Sequence, residues 1–285
     1  MSDLLSKLET SYKTMSKGQK RITDYILSNY DKAAFMTASK LGSIAGVSES
    51  TVVRFAFDMG YDGYPAFSAA LQDMIRTKLT AVQRMEIATN RIDDGNVLGT
   101  VLQSDMDNLR KTLETIDADV FQASVDAIMN AKQIYILGVR SSSALASFLG
   151  FYLNLMFDNV RLIHTNSVSE MFEQMLRVGE GDVVIGISFP RYSKRTVQAL
   201  KYAKDSKSTV ISITDSSGSP LVAYSDFSLI TKSSMASFAD SLVAPLSVIN
   251  ALICALGMHN KEHIYKTFEK LEDIWDEYNV YEKTE

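Results

Sequence analysis

From residue 133 onward, short apolar runs alternate with longer amphipathic segments, and this pattern constrains the fold more than any other feature of the chain. Continuous apolar runs are typical of strands covered on both faces. Alternation of such strands with helices predicts a mostly parallel sheet inside a three-layer α/β sandwich. The predicted strands are Gln133–Val139, Val160–His164, Asp182–Phe189, Thr209–Thr214 and Asp226–Thr231. The predicted helices are Ser143–Phe157, Ser167–Arg177, Ser193–Lys204, Ser241–Gly257 and a last one from Lys261 to about Tyr278.

The first part of the chain has a different pattern, with apolar residues at helical spacing and no strand-like alternation. We therefore expect an all-α domain over residues 1–80 and an α/β domain with a C-terminal helix over residues 105–285. The polar stretch 81–104 between them, which contains Asp93, Asp94, Gly95 and Asn96, reads as a linker.

Within the all-α domain, residues 37–55 predict two short helices joined by a tight turn. Thr37 and Ser48 are suited to cap the two helices, and Gly46 permits a left-handed turn between them. The expected buried face of the first helix is Leu41, Ile44 and Ala45, and that of the second is Val52, Val53 and Phe55. This is a helix-turn-helix pattern, which places its second helix in the DNA major groove. A helical hairpin used for dimerisation is the alternative.

In the α/β domain, two predicted strands lead into helices through loops rich in hydroxyl groups, at 138–143 and at 188–196. Ligands bind at the carboxyl ends of strands in open α/β sheets. Hydroxyl groups, helix N-termini and the cations Arg191 and Lys194 together favour a phosphate. Ordinary helix capping by serine is the alternative. Glu170, at the start of another helix, can bind sugar hydroxyls or simply favour that helix N-terminus.

The run 48–55, followed by Gly60-Tyr61-Asp62-Gly63-Tyr64-Pro65-Ala66-Phe67, resembles the signature of the RpiR family of sugar-responsive transcription regulators. The resemblance extends over essentially the whole chain. It implies that a helix-turn-helix domain is joined to a C-terminal SIS (sugar isomerase) domain. It implies that Ser48, Ser50, Thr51 and Arg54 face operator DNA. It also implies that Lys17, Gln19 and Lys20 lie near the phosphate backbone.

The same resemblance implies which residues hold the phosphate of a phosphorylated sugar. By position these are Ser141, Ser143, Ser188, Ser193 and Thr196. The chain departs from the usual Ser-Gly-x-Thr core of the second loop, because Pro190-Arg191-Tyr192-Ser193 stands there.

A sugar-phosphate isomerase is the main functional alternative, and it needs a base beside the sugar carbons. In SIS enzymes a glutamate follows the phosphate-binding threonine, whereas Val197 follows Thr196 here. An oligomerising scaffold that uses neither site is a further alternative. We expect a regulator without catalytic residues, metal or cofactor.

Composition limits the partners and the location. The net charge is −5, but residues 1–80 hold 10 Lys and Arg against 8 Asp and Glu, whereas the rest holds 19 against 26. A mildly basic head on an acidic body fits local contact with DNA. One cysteine, no signal-like start and an apolar stretch of only 16 residues at Leu242–Gly257 predict a cytoplasmic protein without membrane partners. A single head covers a short half-site, so we expect a homodimer or homotetramer.

Overall fold

The computed structural model describes residues 4–76, 79–89, 96–165, 167–235 and 238–282. The predicted chain breaker at Asp93, Asp94 and Gly95 lies outside these ranges. The chain divides into two packed units. One contains Met1–Leu102 and Met235–Asp240, and the other contains Gln103–Ser234 and Ser241–Glu285.

The first unit is helical in its described part. Its helices are α1 (Leu4–Ser11), α2 (Lys17–Ser28), α3 (Tyr30–Ala33), α4 (Ala38–Ala45), α5 (Glu49–Asp58), α6 (Tyr64–Arg76) and α7 (Ala81–Thr89). The division between the units falls within the next helix, α8 (Val97–Thr115). The sequence predicts a linker over residues 81–104. Residues 81–89 of this range form α7, and residues 97–104 form the first turns of α8.

Aromatic side chains form the centre of the helical core. Phe67 on α6 is 1% exposed and lies edge-on to Phe55 and Tyr61, with ring centroids 5.6 Å and 5.4 Å away. Edge-to-face pairs contribute about 0.5–1.5 kcal/mol beyond the area that they bury. These contacts hold α5 against α6 and so fix the position of the helix that carries the predicted DNA contacts.

The prediction that Ile44 belongs to the buried face of α4 is wrong, because its side chain is 43% exposed. The buried residues of α4 are Ala38, Leu41, Gly42 and Ala45. Their spacing of three, four and seven residues is one face of a helix, and Ile44 projects from a different face.

The second unit is an α/β domain. Its strands are β1 (Ile134–Gly138), β2 (Val160–Ile163), β3 (Val183–Ile187), β4 (Thr209–Thr214) and β5 (Phe227–Ile230). Its helices after α8 are α9 (Ala118–Met129), α10 (Ser142–Met156), α11 (Val168–Met175), α12 (Lys194–Asp205), α13 (Val243–His259) and α14 (Lys261–Glu277). The five strands and the predicted helices lie where the sequence indicates, with ends that differ by a few residues.

The five strands form one parallel sheet in the order β2-β1-β3-β4-β5. Alternate residues of each strand point to opposite faces. Ile134 and Ile136 pack with α9, α10 and α13 on one face, whereas Tyr135 and Leu137 pack with α11 and α12 on the other. The predicted three-layer sandwich is confirmed.

The first unit also includes a short segment that follows β5 in the chain. Asp240 in this segment accepts hydrogen bonds from two arginines, at 3.2 Å from Nη2 of Arg76 and 3.0 Å from Nη1 of Arg84. Arg84 also donates through Nη2 to the carbonyl of Arg76 at 2.9 Å. The three side chains are only 13%, 9% and 3% exposed, respectively, so they form a buried ionic cluster.

Among the described residues, no helix by itself has the length and apolar composition to cross a membrane. The pair α13 and α14 meets those two criteria only when taken together, and it is bent by 98° at its junction.

Candidate functional site

The turn between α4 and α5 has the local geometry that its sequence predicts. Thr37 accepts a hydrogen bond from the backbone N–H of Lys40 at 3.2 Å, and Ser48 accepts one from the N–H of Thr51 at 3.3 Å. Gly46 ends α4 in the left-handed conformation with φ 66°. The two predicted caps and the predicted left-handed turn are therefore confirmed, and they set where α5 begins.

Gly42 allows the close approach of the two helices. A Cβ atom at this position would lie 2.9 Å from the carbonyl oxygen of Val47, which is backbone and cannot rotate away. Arg21 on α2 donates to the carbonyl of Gly46 at 2.8 Å and ties α2 to the same turn. Helices α2 and α4 thus both meet the turn that leads into α5.

The predicted DNA contacts on α5 gather at its first two turns. Ser48, Ser50 and Arg54 are exposed and Thr51 is half-buried. The hydroxyl of Ser48 lies 2.9 Å from that of Ser50 and 2.8 Å from that of Thr51. These hydroxyls surround a helix N-terminus, whose unpaired N–H groups suit a phosphate oxygen. Glu49 is also exposed here and is the one acid in the first turn of α5.

The three predicted contacts on α2 differ in their surroundings. Lys17 is exposed at the first position of α2. Gln19 forms a capping box with Ser16, and its side-chain nitrogen donates to Asp58 at 2.7 Å. The ammonium group of Lys20 lies 5.5 Å from the centre of the Tyr12 ring. Gln19 thus has a structural task in the fold, whereas Lys17 extends from the helix end beside α5.

The α/β unit has a cavity of about 530 Å³ at the carboxyl ends of β1, β2 and β3. Strand order reverses at β1, because β2 lies on one side of it and β3 on the other. Connections from such neighbours leave toward opposite faces, and a crevice opens between them. The polar lining consists of Arg140, Ser143, Ser147, His164, Thr165, Arg191, Tyr192, Ser193, Lys194 and Arg195.

The loop between β1 and α10 is a tight turn. Gly138 is required there, because a Cβ atom would lie 2.4 Å from the carbonyl oxygen of Ser142. Arg140 follows with φ 60°, in the left-handed region that favours glycine. Its carbonyl accepts hydrogen bonds from the N–H of Ser143 at 3.0 Å and from the Ser143 hydroxyl at 2.5 Å. This turn holds Arg140 and Ser143 at the cavity wall.

Hydrogen bonds to Ser188 and Asp215 hold the loop between β3 and α12 in place. The N–H of Ser193 donates to the buried hydroxyl of Ser188 at 3.1 Å, and Ser193 in turn caps α12 by accepting from the N–H of Thr196 at 3.4 Å. Tyr192 donates to Asp215 at 2.8 Å. The hydroxyl of Thr196 is fully buried and has no hydrogen-bond partner within the described part of the chain.

The structure brings together part of the predicted ligand set. Four predicted residues line the cavity, namely Ser143, Arg191, Ser193 and Lys194. Ser188 and Thr196 are buried beside the loop that supports them. Ser141 is exposed and does not belong to the lining, and Glu170 accepts a hydrogen bond from the cavity residue Thr165.

Six polar residues of the lining are not among the predicted ligand residues, namely Arg140, Ser147, His164, Thr165, Tyr192 and Arg195. Arg140, His164, Thr165 and Arg195 all follow strand ends or begin a helix in the loops that form the cavity. For Arg140 and Thr165, the position directly after a predicted strand was the available signal. Arg140 and Arg195, together with Arg191 and Lys194, make the lining cationic, and no described lining residue is an Asp or Glu.

Two models of known protein families match the chain. A helix-turn-helix domain of the rpiR family matches residues 2–78, and a SIS domain matches residues 127–255. An HTH-type transcriptional regulator of Haemophilus influenzae is 27% identical over 268 residues, covering 92% of this chain and 92% of its own length. The HTH-type transcriptional regulator HexR of Escherichia coli is 26% identical over 220 residues, covering 77% of this chain and 74% of its own length.

Two solved structures have the same fold. NanR of Vibrio vulnificus, complexed with ManNAc-6P, has a TM-score of 0.59 at 24% identity and covers 95% of this chain and 97% of its own. The sugar isomerase domain of an RpiR transcription factor from Sphaerobacter thermophilus has a TM-score of 0.58 at 26% identity and covers 61% of this chain and 97% of its own.

Proposed function

The chain belongs to the RpiR family of helix-turn-helix transcription regulators with a SIS domain, and on this premise we propose that it binds operator DNA under the control of a phosphorylated sugar. One observation carries the proposal. A single chain combines an exposed helix of the helix-turn-helix type with a cationic cavity at the carboxyl ends of a parallel sheet.

Binding to DNA is assigned to the first turns of α5. The hydroxyls of Ser48, Ser50 and Thr51 are small enough for a close approach to phosphates or base edges, and Arg54 one turn later can read a guanine or hold a phosphate. Lys17 on α2 supplies a phosphate contact beside them. Phosphate contacts position a protein on DNA, whereas contacts to base edges select the sequence.

Binding of the sugar phosphate is assigned to the cavity. Arg191 and Lys194 flank Ser193 at the N-terminus of α12, where backbone N–H groups and the helix dipole favour an anion. Ser143 and His164 also line the cavity and can bind sugar hydroxyls. A cavity of about 530 Å³ is within the usual range for small-molecule sites. NanR, which shares this fold, was solved with ManNAc-6P.

We propose regulation without catalysis. The described cavity lining contains no carboxylate to act as the base of an isomerase, and Glu170 and Glu173 are not part of it. Val197, at the position of the isomerase glutamate, is half-buried and packs against the core cluster that contains Ala199 and Leu200. The curated relatives described above are named as regulators of transcription.

We propose that the working form is a homodimer or homotetramer in the cytoplasm, where operator DNA is found. Helices α10 and α13, which the sequence suggests as interface helices, are largely packed into the core of their own unit. Helices α8 and α14 expose more apolar side chains than α10 and α13 do, among them Leu113 at 80% and Tyr265 at 68% exposure. These helices are the better candidates for a self-complementary interface.

The proposal is tested with DNA selected by the protein itself. Genomic fragments retained by the full-length protein are sequenced, and the enriched site is titrated with and without a panel of sugar phosphates. We expect one of them to change the DNA affinity by roughly 5- to 150-fold, which is the usual size of an allosteric coupling. The double variant Arg191→Gln, Lys194→Gln should lose this response and still bind the site without ligand. If no fragment is enriched, or if no sugar phosphate binds, the proposal is wrong.

A further inference from the structure

We infer that Phe57 on α5 contacts the methyl group of a thymine in the DNA major groove and thereby helps to select the operator sequence. The inference rests on the proposed binding of DNA by α5. Phe57 is 58% exposed, although it is a large aromatic side chain. It follows Ser50 by seven residues and Arg54 by three, so the three side chains lie on one face of the helix. Phe57 thus belongs to the face that carries the predicted DNA contacts.

This face of α5 forms a groove at the surface of the helical unit. The groove is lined by Glu49, Ser50, Val53, Arg54 and Phe57. Val53 is half-buried and packs against the helical core, so Phe57 is the exposed apolar side chain of the groove. A partner that fills the groove therefore covers polar atoms near the start of α5 and an aromatic ring near its end.

The ring of Phe57 has a defined direction although it is not buried. It is not part of the aromatic centre of the core, which Phe55, Tyr61 and Phe67 form. Its tip reaches the turn before α6, where a Cβ atom on Gly63 would lie 3.7 Å from Cζ, an ordinary van der Waals distance. A side chain that is already held on one side loses little conformational freedom when a partner covers the other.

The chemistry of the groove favours base edges over the phosphate backbone. Glu49 places a carboxylate in the groove, which repels phosphate groups but can accept a hydrogen bond from the amino group of a cytosine. The ring of Phe57 has no polar hydrogen to donate to a phosphate oxygen. In the major groove, the apolar group that a base pair presents is the C5-methyl group of thymine. Contact between this methyl group and the ring removes both from water, so thymine is the base that fits Phe57.

Replacing thymine by uracil in the DNA tests this contact, because the change removes the methyl group and keeps the base pairing. The site selected by the full-length protein is synthesised with deoxyuridine in place of one thymine at a time, and each duplex is titrated by fluorescence. We expect the dissociation constant of the wild type to rise about fourfold at one thymine of each half-site, which is the effect of exposing one buried methyl group.

Two variants of Phe57 and one control assign the thymine preference to this residue. Phe57→Ala should bind the thymine and uracil sites equally, because the methyl group has lost its partner. Phe57→Leu keeps a smaller apolar side chain and should reduce the preference to about twofold. Phe151→Ala removes a ring of similar exposure, 62%, from α10 and should keep the full preference. Circular dichroism of each variant checks that the fold is intact.

The outcomes separate the inference from the proposed function. A preference for thymine in the wild type that disappears in Phe57→Ala supports the inference. It is overturned if no uracil replacement changes the affinity, if the selected site contains no thymine, or if Phe57→Ala keeps the wild-type preference. If Phe57→Ala binds neither site, Phe57→Leu decides, and an unchanged preference there overturns the inference. In all these cases DNA binding itself still stands, whereas a protein that selects no DNA overturns the proposed function and the inference together.

Discussion

Replacing Asp240 by Asn tests whether the ionic cluster of the helical unit is buried as described. Asn has nearly the same shape as Asp but no charge, so two arginines that are 9% and 3% exposed lose their shared carboxylate. Removing one partner of a buried ion pair costs about 3–5 kcal/mol, because the remaining charge stays buried and loses that attraction. Asn keeps one carbonyl oxygen as an acceptor, and Asp240 is 13% exposed. We therefore expect a loss at the lower end of this range.

The expected loss of unfolding free energy is large enough to be measured as a lower Tm of the helical unit. For a domain of about 100 residues, 1 kcal/mol lowers the Tm by about 4–8 °C, so about 3 kcal/mol lowers it by about 12–24 °C. Trp275 is the only tryptophan of the chain and lies on α14 in the α/β unit. Its fluorescence follows that unit, whereas circular dichroism follows the helices of both units. When Asp240→Asn is heated, we expect the circular dichroism signal to start falling at a lower temperature than the one at which the fluorescence of Trp275 changes.

A control and a rescue decide how the result is interpreted. Asp205→Asn removes the partner of Lys201 in an exposed pair, with side chains 63% and 56% exposed, and should leave both transitions unchanged. Replacing the cluster by Met at 76 and 84 and Leu at 240 removes its three charges together and should restore most of the stability. If Asp240→Asn shifts the helical transition no more than Asp205→Asn does, the cluster is not buried and the reasoning is refuted.

Other predictions follow from single sites. Burial raises the pKa of Tyr64 to about 12, so the free energy of unfolding should fall as pH rises from 10.0 toward 12; Tyr64→Phe should reduce that fall in pH-dependent denaturation, and the rest of it comes from tyrosines such as Tyr61 and Tyr135, whose pKa burial also raises. Gly42→Ala places a Cβ against the carbonyl of Val47 and should destabilise the helical unit by about 1–3 kcal/mol in thermal melts; an unchanged Tm would contradict the close approach. Arg54→Ala should weaken binding to the selected DNA site by about 1–3 kcal/mol in a fluorescence titration, and undiminished binding would remove Arg54 from the contacts. Light scattering at micromolar concentration should show a dimer or tetramer, and a strictly monomeric mass would contradict the proposed assembly.

Much of the fold can be read from the sequence because it depends on local patterns. Strands buried on both faces need continuous apolar runs. The run at Thr209–Thr214 predicts β4 with the same first and last residues that the structure has. The caps Thr37 and Ser48 and the left-handed Gly46 act within a few residues of their own positions. The two cavity loops could be located for the same reason, since each directly follows a strand.

Side-chain burial was decided by packing between elements that are distant in the chain. The apolar character of Ile44 predicts a core residue, but the helix turns it outward because Gly42 and Ala45 already occupy the contact face. By its position Gln19 is expected to contact DNA, yet its side chain forms hydrogen bonds with Ser16 and Asp58. Neither result follows from the local sequence.

The cavity and the ionic cluster belong to the tertiary structure alone. Strand order brings Arg140 and His164 to the same cavity as Lys194, although each follows a different strand. Asp240 meets Arg84 although 156 residues separate them in the chain. The sequence determined which local segments form helices, strands and turns, because those choices depend on neighbouring residues. Only the folded chain decided which charges meet, because their pairing depends on sheet order and on how the helices pack.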